Sequence, residues 1–121
     1  MSELLTLLGV HPESRVSLLG IRDAEFLRAI LPNLLNPSQH RAAYQSDFIF
    51  LGVESPQQLK RLSPLKKYLN PHGSFWIVYP NHHSLITPSL ILAALDTAGL
   101  TASDSIPFSS THTALHATLP A

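Results

Sequence analysis

Cysteine is absent from all 121 residues. That excludes disulfides, thiolate nucleophiles and cysteine-held zinc or iron–sulfur sites, and it fits a reducing cytoplasm. Charge is scarce as well: Asp, Glu, Lys and Arg make up 13% of the chain, against about 25% in an ordinary globular protein. Eight basic residues balance eight acidic ones, so no strong positive field exists to hold nucleic acid or an anionic membrane surface. No apolar run approaches the ~20 residues of a membrane span. The opening Leu4, Leu5, Leu7, Leu8 is too short, and it lacks the basic flank and cleavage pattern of a signal peptide. The five glycines nowhere form GxGxxG, which removes the dinucleotide fingerprint.

What is present is an alternation of apolar strands and amphipathic helices. Residues 1–121 are of single-domain length. Ser2 caps a short leucine-bearing helix that Gly9 stops. Val16 to Ile21 and Phe48 to Val53 are compact apolar runs, as expected of strands buried on both faces. Phe75 to Tyr79 makes the third such strand, entered through a turn at Asn70, Pro71, His72 and Gly73.

Helices fill the intervals. Asp23 opens one carrying Ala24, Leu27, Ile30 and Leu31, which Pro32 ends. The stretch Asn33 to Ser46 reads as an irregular turn or short helix. Ser55, Pro56 and Gln58 form a capping-box opening, and Pro64 should break that helix so that Ser63 caps a second one. Thr87 and Pro88 begin a helix over Leu90, Ile91, Ala94, Leu95 and Ala98, closed by Gly99. Ser105 to Ser109 and Thr113 to Leu119 read as a final antiparallel strand pair. Strand–helix alternation with short crossovers predicts a small three-layer Rossmann-like α/β domain with a core of three parallel strands.

The segment GSFWIVYP at Gly73 to Pro80, with LKKYLNPH before it and DFIFLGV earlier, resembles the uncharacterised DUF3052 family. That resemblance implies a shortened, degenerate version of the Rossmann-like methyltransferase fold over Val16 to Leu119. The family's lysine after the aromatic–proline pair is replaced by Asn81, and its tail tryptophan and arginine by His112 and His116. The glycine-bearing turn that such a fold uses for its cofactor reads VSLLGIRD, with Gly20 inside the apparent strand. One glycine does not make that turn, so no cofactor is expected.

In a parallel α/β sheet, ligands gather where loops leave the carboxyl ends of the strands. The exits after Ile21, Val53 and Tyr79 therefore define the candidate ligand site: Arg22, Asp23, Asn81, His82, His83, Ser84 and Thr87. Adjacent histidines can move protons, but HHS lacks metal-ligand spacing, and no metal site is expected. Ser84 and Thr87 lie outside GxSxG, and Thr87 has the simpler role of helix cap. The basic cluster Lys60, Arg61, Lys66 and Lys67 reads as a solvated helix face.

Low charge and the missing cofactor loop favour a non-enzymatic binding or protein-interaction module, associating with itself or with a protein partner. The alternative is a small-molecule enzyme using the strand-exit loop that contains His82 and His83 as acid or base. Nucleic acid and membrane are not expected as partners, and the expected location is the cytoplasm.

Overall fold

The computed structural model describes residues 8–21, 24–35, 37–39, 41–81, 85–108 and 110–120, with Glu25 described through its backbone alone. A six-stranded sheet forms its centre. The strands are β1 (Val16–Leu19), β2 (Ser38–Gln39), β3 (Ser46–Gly52), β4 (Leu69–Pro80), β5 (Thr101–Pro107) and β6 (His112–Thr118). Their spatial order is β2-β1-β3-β4-β6-β5. The first four run parallel, β6 lies antiparallel on β4, and β5 lies antiparallel on β6. The α/β class and the antiparallel carboxyl-terminal pair agree with the sequence pattern.

Helices cover both faces because every central strand is apolar on both sides. On one face Ile49, Leu51, Phe75, Ile77, Leu115 and Ala117 meet Leu59, Leu62, Ile91 and Leu95. These come from a 3₁₀ segment (Pro56–Arg61), α2 (Leu62–Leu65) and α3 (Pro88–Thr97). On the other face Val16, Leu18, Phe50, Trp76 and Val78 lie under Phe26 and Ile30 of α1 (Ala24–Ile30), with Leu8, Val10 and Phe108 beside them. Phe26 bridges the layers there, its ring 5.7 Å from Phe50 and 3.8 Å from Phe108. Each fully buried aromatic or leucine on these faces contributes about 1.5–3 kcal/mol of transfer free energy.

Several local expectations are corrected. The connection from Asn33 to Ser46 is more than an irregular turn or short helix: β2 pairs with β1 there, which makes four parallel strands rather than three. The segment is tied down by buried hydroxyls, since Ser17 Oγ and Ser46 Oγ lie 2.8 Å apart and Ser17 Oγ accepts from the Ala43 amide at 2.9 Å. The helix before Pro32 ends at Ile30, as expected, and the proline then sits inside a 3₁₀ turn that carries the chain on through Leu31–Asn33.

Pro64 likewise sits inside α2, in a first turn whose amides need no helical partner, and Ser63 is no cap. Asn70 to Gly73 belongs to β4 rather than to a turn before it, with the irregularity absorbed as a register shift between Ser46 and Phe48. In the tail, β5 begins at Thr101, four residues before the expected start at Ser105. Of the amino-terminal helix expected between Ser2 and Gly9, residues 1–7 lie outside the described residues, while Leu8 is helical and Gly9 follows it with φ of 77°.

Candidate functional site

After β1 the chain crosses to β2 on one side, and it then returns to place β3 on the other side of β1. That reversal makes the carboxyl ends of β1 and β3 the point where helices leave the sheet in opposite directions and a crevice opens. Here the crevice is lined by Gly20, Ile21, Gly52, Val53, Glu54, Val78 and His112, and its volume is about 20 Å³, room for a single water.

The narrowness comes from two glycines. Gly20 is not inside the strand as expected: β1 ends at Leu19, and Gly20 turns away with φ of 68°. Its carbonyl oxygen would lie 2.2 Å from a Cβ built on Gly52. Only the absence of a side chain at position 52 lets the two exits approach this closely. Beyond Gly52, Val53 donates to the Val78 carbonyl at 2.9 Å. The Glu54 and Ser55 amides both donate to Gln58 Oε1, the latter at 3.0 Å, which fixes the turn out of β3.

A second polar group arrives from the antiparallel side. Because β6 runs against β4, its start at His112 lies beside the end of β4 at Pro80. Asn81 donates its amide to the Thr111 carbonyl at 2.8 Å and accepts from the Thr113 hydroxyl through Oδ1. His112 Nδ1 and Thr111 Oγ1 are 2.8 Å apart. Burial holds the Tyr79 hydroxyl above the usual phenol range, opposed by its hydrogen bond with Thr113.

Of the seven expected site residues, Asn81 stands at this edge in the network with Thr111 and Thr113. Thr87 is the cap of α3, its Oγ1 accepting from the Leu90 amide at 3.3 Å, so its hydroxyl has a structural role. Arg22, Asp23, His82, His83 and Ser84 lie outside the described residues. Glu54 and His112, which line the crevice, are additions. Glu54 directly follows Val53 at a strand exit, whereas the place of His112 depends on the direction of β6, which its own sequence does not carry. Among the described residues no group of three His, Asp or Glu side chains could hold a metal ion. No helix among them is long and apolar enough to cross a membrane.

No protein-family model matches the chain, and no curated protein matches its sequence. Solved structures do share its fold. A TehB-like SAM-dependent methyltransferase from Corynebacterium glutamicum superposes with a TM-score of 0.62 at 9% identity, over 97% of this chain and 85% of that one. A ribosomal protein methylase from Lactobacillus delbrueckii subsp. bulgaricus gives 0.63 at 13% identity, over 98% and 77%. A SAM-dependent methyltransferase from Aquifex aeolicus gives 0.56 at 14%, over 95% and 88%. The chain has the Rossmann-like methyltransferase fold. The expectation of a non-enzymatic interaction module is corrected by this likeness, since these three structures of the same fold are enzymes by name.

The described residues do not fit the adenosyl cofactor that such a fold implies. A cofactor of that size needs a cleft of about 300 Å³ or more, against the 20 Å³ left between Gly20 and Gly52. The glycine at the β1 exit packs closely on the backbone of Gly52 in a neighbouring strand. The neighbouring β2 supplies only Ser38 and Gln39, with no carboxylate to bind a ribose.

Proposed function

We propose that the chain is a small-molecule enzyme of the methyltransferase fold that works, without an adenosyl cofactor, by proton transfer on a substrate held outside the mouth of the strand-exit crevice, whose interior has room for water alone. The observation that carries this reading is that an imidazole and a carboxylate, His112 and Glu54, line one crevice at the carboxyl ends of the parallel strands. An imidazole and a carboxylate are the side chains most used as general acid and base. His82 and His83 follow Asn81 in the sequence and are further side chains of the acid–base kind, with Ser84 after them. The likeness of GSFWIVYP and DFIFLGV to the DUF3052 family supports placing the chain with those shortened domains, and the lack of cysteine supports a cytoplasmic location.

Amide chemical shifts recorded against amino acids, small carboxylic acids, nucleosides and S-adenosylmethionine test the reading. Shifts from at least one small polar compound should converge on Gly20, Gly52 to Glu54, Asn81 and His112. If all these amides stay unmoved in the folded protein across the panel, the site is wrong. Saturable shifts there from S-adenosylmethionine would show that the crevice opens, and would reverse the exclusion of that cofactor.

A further inference from the structure

The opposite end of the same strands carries a larger cavity, and its origin is a mismatch of lengths. The seven residues of α1 span roughly 10 Å at 1.5 Å each, while a strand of seven residues such as β3 spans roughly 23 Å. Phe26 of α1 packs over Phe50, and no residue of α1 lines the stretch toward the amino ends of β3 and β4. There Phe48 and Ser74 pair across the strands, and Trp76 pairs with His116 of β6, their rings 4.7 Å apart. With Leu8 on one side and Asp104 and Ile106 of β5 on the other, these residues line an open pocket of about 320 Å³, the lower range of small-molecule pockets.

The chemistry of the wall is one-signed. Asp104, exposed on the edge strand, is the one lining residue with a fixed charge among the described residues. Burial lowers the His116 pKa below the ordinary imidazole value, the Asp104 carboxylate opposing it, so the ring is neutral at neutral pH and repels no cation. The remainder is aromatic or aliphatic. Trp76 Nε1 is buried with no hydrogen-bond partner among the described residues, so the indole meets the pocket through its ring rather than through its N–H.

We propose that this cavity is a second binding site and that it takes a small organic cation, an ammonium group on an apolar body. The ammonium sits near Asp104, and the body lies against Phe48, Ile106 and the Trp76–His116 stack, where aromatic faces attract positive charge. The site is separate from the strand-exit crevice, at the other end of the strands, and stands or falls independently of it.

Trp76 is the chain's one tryptophan, so its emission and its indole N–H resonance report on this cavity directly. Phenethylamine should give a saturable change in both. 2-Phenylethanol should bind at least about fivefold more weakly, the difference expected from a partly exposed carboxylate and a cation–π contact. 3-Phenylpropionate should not saturate. Asp104→Asn, an exposed substitution whose thermal unfolding should match the parent, should bring phenethylamine down to the level of the alcohol. The proposal is overturned if amine, alcohol and acid bind alike, if Asp104→Asn leaves amine binding unchanged, or if none of the three moves the Trp76 signals.

Discussion

The two ends of one sheet differ in room by more than tenfold, although the same strands build both. At the exits of β1 and β3 the crevice measures about 20 Å³, while over Trp76 and His116, toward the amino ends, the space is about 320 Å³. The fold places a ligand-binding edge at the first end, yet two glycines have drawn the backbone together there. At the second end no residue of the seven-residue α1 lines the space, which Leu8 and β5 border instead. Topology therefore sets where a cleft can form, and the residues at the strand ends and the length of the covering helix set whether one does.

The strongest way to break this contrast is to force the narrow end apart. Gly52→Ala places a methyl group 2.2 Å from the Gly20 oxygen and 2.8 Å from its carbonyl carbon, and neither is a side chain that can swing away. The expected loss of stability in urea unfolding is about 3–5 kcal/mol. Gly20→Ala meets Gly52 O at 3.0 Å and a φ of 68°, so it should lose less, about 1–2 kcal/mol from the left-handed backbone alone. If Gly52→Ala were tolerated at under about 1 kcal/mol, the exits would not be tightly closed, and the argument against a large cofactor would go with that closure.

A second, smaller test concerns the anchoring at the start of β3. Ser17 and Ser46 are fully buried, and Ser46 Oγ also donates to the Ala43 carbonyl at 2.5 Å. Ser17→Ala leaves the Ala43 amide without its acceptor and should cost about 1–3 kcal/mol, measured as a lower urea midpoint with unchanged slope. Ser17→Ala with Ser46→Ala should cost less than the sum of the two, since they share one network. A strictly additive pair would show that the loop before β3 is held by something else.

These positions also show what can be read from sequence. Phe48 to Val53 and Phe75 to Tyr79 are legible because burial on both faces demands unbroken apolar runs, and the cap at Thr87 because its chemistry is local. β2 is not legible: Ser38 and Gln39 pair through backbone alone and carry no side-chain pattern. Pro64 reads as a breaker because the sequence does not say that it falls in a first turn. Asn70 to Gly73 reads as a turn because a strand irregularity uses the same residues. Of the site, the strand exits are visible from periodicity, which reaches Glu54 but not His112. Serine at 17 and 46 looks like a gap in an apolar face until Ala43 is seen beside it.

The smallest expected effect lies in the ring that closes the wider cavity. His116 should titrate below 6.5, the ordinary imidazole value, because burial penalises its charged form more than Asp104 favours it. Asp104→Asn removes the favouring charge and should lower it further, as read from the imidazole proton shifts. The sign for stability follows from linkage: the unfolded chain binds this proton more readily than the folded one. Stability is thus fully present above about 6.5 and is lost as pH falls from there through the folded value. His116→Gln should flatten that part of the pH profile. A titration at 6.5 or above would mean that water reaches the ring freely, and the cavity would be an open surface rather than a wall able to select its ligand by charge.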